Sequence, residues 1–143
     1  MSKTHKKASE SEVIMTEMVL PNDTNTLNNM MGGRLLHLMD IAAGVAAQRH
    51  SNKLVVTASV DNVSFREPIR LGNVITLKAK VTRSFNSSME VFILVTTEDI
   101  PNKKKTVSNS AFYTFVAVDE KGKPFIVPEL IPETDKEKEL YED

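Results

Sequence analysis

The sequence predicts an α+β domain in which one long central helix is wrapped by a curved antiparallel sheet of five to six strands. Three observations predict it. Residues 34–49 carry apolar side chains at helical spacing around most of the circumference, so this helix has to be enclosed. From Leu54 onward the pattern changes to period two through four long stretches. No other segment is apolar enough to cover the helix, so a sheet made from those stretches must do it.

Each element follows in order. Residues 1–11 (MSKTHKKASES) read as a disordered, charged tail. Glu12–Leu20 reads as a strand with apolar groups on both faces, Val13, Met15 and Val19 alternating with Ile14, Met18 and Leu20. Pro21-Asn22-Asp23 ends it with turn chemistry, and Asn25 to Asn29 form a loop. Gly32-Gly33 open a helix that runs from Arg34 to about Arg49. Its stripe is Leu35, Leu38, Met39, Ala42, Val45 and Ala46, widened by Leu36, Ala43 and Ala47. Arg34, His37 and Gln48 hold the narrow wet edge, with Asp40 just beyond them, and His50 reads as a second surface histidine. Arg49 and His50 suit the negative end of the helix dipole.

Leu54–Phe65 is a long strand, broken by Arg66-Glu67-Pro68. In Val74–Phe85, Ile75, Leu77, Ala79 and Val81 face one way and Thr76, Lys78, Lys80 and Thr82 the other, which marks one wet face. Asn86-Ser87 turns the chain into Ser88–Glu98, and the polar loop from Pro101 to Lys105 leads to Thr106–Asp119. The domain spans 12–128, followed by an acidic, partly helical tail at 129–143. Such a sheet keeps an uncovered face and open edges, so the chain is expected to be at least a dimer.

Composition excludes several classes. A chain of 143 residues is long enough for one core, and 41% hydrophobic with 26% charged residues is globular. A net charge of −1 gives no electrostatic grip on nucleic acid. The absence of cysteine excludes thiolate nucleophiles, disulfides and Cys-ligated zinc. No apolar run approaches the roughly 20 residues of a membrane helix. No apolar segment follows the basic N-terminus, so a signal peptide is not expected and the location is read as cytoplasmic. Neither a G-x-S-x-G elbow nor a phosphate-binding glycine loop occurs.

Six positions stand out, each with a bland reading. Asp40 is either a solvated rim carboxylate or a general base in a mostly apolar groove. Gly32 and Gly33 either ease helix entry or bare N–H groups that could polarise a carbonyl. Asn25, like the Ser87-Ser88 pair, could be a turn residue.

A resemblance bears on these choices. Asp23-Thr24-Asn25, then Gly32-Gly33 and Met39-Asp40, then Val56-Thr57-Ala58-Ser59-Val60-Asp61 with Phe65, Pro68-Ile69 and Gly72 occur in that order. Ser87-Ser88-Met89 and the run Ala111 to Asp119 follow. The ordered set, from about Met15 to Pro128, resembles the hotdog fold, and its residues are similar to the acyl-CoA hydrolases that include the bacterial YciA-type thioesterases. The family usually has Gly where this chain has Asn28, and often His or Phe where it has Met31. The resemblance implies hydrolysis of acyl-CoA to a free acid and CoA, without a metal or redox cofactor. It implies that Asp40 is the base or nucleophile, with N–H groups near Gly32 and Gly33 on the thioester oxygen. Asn25 would face Asp40 of a neighbouring subunit, in a dimer and then a trimer of dimers. Thr57, Ala58, Ser59, Arg66, Ser87 and Ser88 become CoA-binding candidates, with Arg83 and Lys103 to Lys105 as possible phosphate contacts. Rival readings are a non-catalytic acyl-CoA-binding module and a hotdog dehydratase, though the latter needs a histidine that the loop before the helix lacks.

Overall fold

A computed structural model describes residues 5–131. The elements are β1 (His5–Lys7), a 3-10 turn (Ala8–Ser11), β2 (Val13–Met18), a second 3-10 turn (Pro21–Asp23) and α1 (Gly32–Ser51). Then come β3 (Leu54–Phe65), β4 (Val74–Ser84), β5 (Ser88–Asp99), β6 (Lys104–Val118) and β7 (Glu129–Ile131). Five strands form one antiparallel sheet in the order β2-β4-β5-β6-β3, while β1 and β7 pair in parallel as a separate ribbon.

The period-two pattern does what it predicts. Ile75, Leu77, Ala79 and Val81 of β4 point inward, and so do Val91, Ile93 and Val95 of β5 and Ala111, Tyr113, Phe115 and Ala117 of β6. They pack on the buried stripe of α1, formed by Leu35, Leu38, Met39, Ala42, Ala43, Ala46 and Ala47. The alanines let the sheet approach closely: a Cβ on Gly44 would sit 3.6 Å from the Phe115 ring. Truncating Met39, which is fully buried, would cost about 2–5 kcal/mol.

Asp23 fixes the loop ahead of α1. Its carboxylate accepts the Leu20 N–H and the Arg34 Nε–H, each at 2.9 Å, and its carbonyl accepts the Met31 N–H at 2.8 Å. The Leu20 N–H, with help from Arg34, holds its carboxyl below the usual range. Asn28 takes a left-handed φ of 60°, a conformation asparagine tolerates where glycine is absent.

Three expectations are corrected. Residues 5–11 are not a disordered tail: Ala8 and Ser11 are fully buried, and Ser11 Oγ accepts the Val81 N–H at 3.0 Å just beyond the end of the β2–β4 ladder. Glu129–Ile131 is a strand, not part of a helical tail. The remaining tail residues, 1–4 and 132–143, lie outside the described residues. His50 is fully buried, because the segment leading into β7 returns over the last turn of α1 and the Pro128 carbonyl accepts from His50 Nε2 at 2.7 Å.

At the other edge, β3 pairs with β6 on one side only. All but two of its twelve residues are exposed, Val56, Val60 and Phe65 among them. Its register slips twice against β6, between Thr57 and Ser59 and between Asp61 and Ser64, so Ala58 is the extra residue of a bulge.

Candidate active site

The helix carboxylate meets β3 directly. Asp40 is half-buried near the middle of α1, and the Thr57 hydroxyl donates to its Oδ1 at 2.8 Å. Oδ2 has no hydrogen-bond partner among the described residues. Thr57 therefore turns the carboxylate toward the open strand edge and leaves one oxygen to take a proton. Behind it, Tyr113 of β6 donates its hydroxyl to the Leu36 carbonyl at 3.0 Å, one helical turn before Asp40. The phenol is pushed up to about 12, chiefly by burial and further by the negative charge of Asp40.

A second group of atoms gathers at the start of α1. Met31 caps the helix without a side-chain hydrogen bond, and the N–H groups of Gly32 and Gly33 have no partner among the described residues. They carry the positive end of the helix dipole. A cavity of about 360 Å³ opens there, lined by Met30, Gly32, Leu35, Phe65, Ile69 and Asn109 among others. A Cβ on Gly32 or Gly33 would meet nothing within 4 Å. Among the described residues no neighbour excludes a side chain at either glycine.

The two groups are not brought together in one chain. Asp40 is eight residues beyond Gly32, about 12 Å along the helix axis, too far for a water at Asp40 to reach a carbonyl held at Gly32. Within one copy, Asp40 and the N–H groups at the start of α1 therefore cannot act on the same carbonyl. Asn25 is not hydrogen-bonded to Asp40 either. Its Oδ1 accepts from the Leu27 and Asn29 N–H groups at 2.9 and 3.2 Å, a turn-holding role, and its amide NH2 is left to donate.

The remaining candidates divide between the two ends of β3. Ser59 lies just beyond the Ala58 bulge, its hydroxyl 3.3 Å from the Asp61 carboxylate. Ser88 sits opposite Val116, which sits opposite Val56, so the Ser87-Ser88 turn lies two strands from the Thr57 end of β3. Arg66 is at the other end, on the rim of the cavity near Gly32. Lys104 and Lys105 face Asp99 and Glu98 in the β5–β6 ladder, at the end of the sheet remote from Thr57. Among the described residues no group of three or more His, Asp or Glu side chains is placed to hold a metal ion.

Sequence reasoning missed the side-chain role of Thr57, the backing by Tyr113 and the polar cavity wall at Asn109. For Thr57 a signal existed: it is the first hydroxyl on β3, in the strand that follows the helix bearing Asp40.

Comparison with known proteins identifies the family. Residues 27–103 match the model of the thioesterase superfamily. The chain is 41% identical over 132 residues to YkhA, an uncharacterized acyl-CoA thioester hydrolase of Bacillus subtilis, covering 92% of this chain and 77% of that one. It is 39% identical over 137 residues to the cytosolic acyl coenzyme A thioester hydrolase of Rattus norvegicus, covering 94% of this chain but spanning only 36% of that longer protein. An acyl-CoA hydrolase from Staphylococcus aureus, solved with butyryl-CoA, CoA and CoA disulfide, superposes with a TM-score of 0.91 at 39% identity, over 96% of this chain and 84% of that one. Three further structures of the Staphylococcus enzyme carry single alanine replacements, of an asparagine, an aspartate and a threonine. A hexameric acyl-CoA thioesterase, solved in its apo form, superposes with a TM-score of 0.94 at 40% identity, over 97% of this chain and 89% of that one.

Proposed function

The chain belongs to the thioesterase superfamily as an acyl-CoA thioester hydrolase, and from that premise we propose how its residues divide the work between two copies. One observation carries the reading: a half-buried carboxylate, oriented by Thr57, stands beside a strand edge that its own chain leaves open.

Antiparallel pairing of two β3 edges about a twofold axis supplies the missing half. The twofold exchanges strand ends, so Asp40 and Thr57 of one copy come to face the cavity and helix start of the other. The thioester carbonyl then sits on the N–H groups near Gly32 and Gly33. Asp40 takes a proton from water, and the resulting hydroxide adds to the carbonyl carbon. The oxyanion is held by those N–H groups until the C–S bond breaks and the CoA sulfur leaves as thiolate. Asn25 of the second copy, its carbonyl oxygen occupied by the loop, offers its amide NH2 to the water or the thioester. Direct attack by Asp40 would give an anhydride that water then opens, with the same products. The asparagine, aspartate and threonine replaced in the Staphylococcus enzyme are of the same residue types as Asn25, Asp40 and Thr57, which supports this set.

The same twofold returns Arg66 of one copy to the Thr57 end of the other. There the bulge at Ala58, with Ser59, Ser87 and Ser88, could receive the amides and phosphates of CoA. The hexameric relative supports a trimer of such dimers, and the cytosolic relative a cytoplasmic location. No helix among the described residues is long and apolar enough to cross a membrane. The chemistry requires no metal or redox group, since water is the only co-substrate.

Release of free thiol from a panel of acyl-CoAs tests the reading. Turnover that disappears in Asp40→Asn supports it. Binding without turnover would favour a non-catalytic module, and loss of water from a 3-hydroxyacyl-CoA without thiol release would favour a dehydratase.

A further inference from the structure

Two hydrogen bonds tie α1 to the five-stranded sheet at Asp40. The first is the Thr57 hydroxyl on Oδ1, at 2.8 Å. The second reaches the backbone, where the Tyr113 hydroxyl donates to the Leu36 carbonyl at 3.0 Å. Leu36 and Asp40 stand four residues apart within α1, so that carbonyl is also the acceptor of the Asp40 N–H. One oxygen, with its two lone pairs, thus takes the N–H of the proposed base and an O–H from β6. The packing around it is apolar, with Met39 and Ala43 of α1 and Ala111 and Phe115 of β6 all buried. Tyr113 is itself only 1% exposed, and its ring stacks on that of Phe115 with centroids 6.1 Å apart. A phenylalanine would fill this row equally well, so the hydroxyl is not there for packing. Burial pushes the phenol up to about 12, which keeps it a donor at neutral pH.

We infer that Tyr113 is a positioning residue for the hydrolysis, fixing the backbone of Asp40 against β6 while Thr57 fixes its carboxylate against β3. The inference rests on the acyl-CoA hydrolase reading and deepens it. Both anchors stand on paired strands, since Thr57 lies opposite Phe115 and Val60 opposite Tyr113. Thr57 can aim the carboxylate only if the Asp40 backbone keeps its place, and a shift of about 1 Å in a catalytic group is enough to slow a reaction. The anchors therefore act in series. Once the Thr57 hydroxyl is gone, the carboxylate turns about its own side-chain bonds whatever holds the helix, and the brace has nothing left to position.

Tyr113→Phe keeps the ring and leaves the Leu36 carbonyl paired with the Asp40 N–H, so no buried acceptor is orphaned. Thiol release from the acyl-CoA that the unmodified chain hydrolyses fastest, run beside a thermal melt, compares it with Thr57→Val and with the double variant. Tyr113→Phe is expected to lower kcat about fivefold, the worth of one neutral hydrogen bond, with KM unchanged. In the Thr57→Val background the same change should cost less than about twofold, within the scatter of a residue that adds nothing further. A hydroxyl that serves only the fold would lower the melting temperature and leave kcat alone, or would cost as much in one background as in the other. Either result overturns the inference, and so does a Tyr113→Phe chain that fails to fold. An unmodified chain that releases no thiol from any acyl-CoA would instead remove the hydrolase reading, and this inference with it.

Discussion

Thr57 donates its hydroxyl to Asp40 Oδ1 at 2.8 Å, joining the middle of α1 to the open edge strand β3. If this bond aims the carboxylate at water, its loss should lower turnover without unfolding the protein. Asp40→Asn is expected to lose about 10²–10⁴-fold in kcat. Thr57→Val should lose about tenfold, near the value of one hydrogen bond to a charged group, and Thr57→Ser should keep most of the activity. Steady-state thiol release beside a thermal melt measures both effects. A Thr57→Val enzyme of normal rate would show that Asp40 needs no orienting.

The glycines offer a separation of stability from activity. Since a Cβ at either position meets open space, Gly33→Ala should fold as well as the unmodified chain, or gain up to about 1 kcal/mol from helix propensity. Its activity should nevertheless fall at least tenfold, because the added methyl would occupy the approach to the N–H groups. Denaturant titration and kcat/KM on the same preparation decide this, and unchanged kinetics would count against a thioester oxygen seated there.

The β3 edge predicts that association and catalysis fail together. Val60→Lys places a charge on an exposed mid-strand position. Sedimentation should show monomers with a normal circular dichroism spectrum and negligible turnover. Mixed Asn25→Ala and Asp40→Ala subunits should recover part of the activity, because one of the two sites in each heterodimer is intact. Heterodimers that form and stay inactive would argue against a shared site.

His50 predicts a pH dependence of stability. Burial is the largest influence on it and lowers its pKa from 6.5, against the Pro128 hydrogen bond, and Nδ1 has no partner among the described residues. With the folded pKa depressed, the unfolded chain binds more protons just below 6.5. Stability should therefore be fully present above about 6.5, fall as pH drops through that value and level off below the folded pKa. Urea midpoints across this range test the sign, and His50→Gln should flatten the slope. Lys6 and Glu10 both act on this histidine, so Lys6→Met should be run alongside.

The helix, the strands and the rival roles of Asp40 could be read from the sequence because each depends on a local repeat. The apolar stripe of α1 fixed its inner face, and the alternation from Ile75 to Val81 fixed the inner face of β4. What remained hidden depends on partners far along the chain. His50 lies in a helix turn that reads as surface until Pro128 returns over it, 78 residues later. Ser11 looks like a tail residue until it takes the Val81 N–H across 70 residues. The Ala58 bulge leaves no mark in the run Val-Thr-Ala-Ser, since small residues suit a regular strand equally well. Tyr113 and Asn109 share one alternating row, and only their different neighbours separate a brace behind a carboxylate from a cavity wall.

The bare length of β3 also governs how the chain must be made. Until a second copy docks as proposed, a newly synthesised molecule displays a partly greasy strand of twelve residues, unpaired along its outer edge, to everything around it. Productive assembly and clumping then compete for the same surface, so the rate of production and the supply of chaperones, more than the strength of the core, would set the yield of working enzyme.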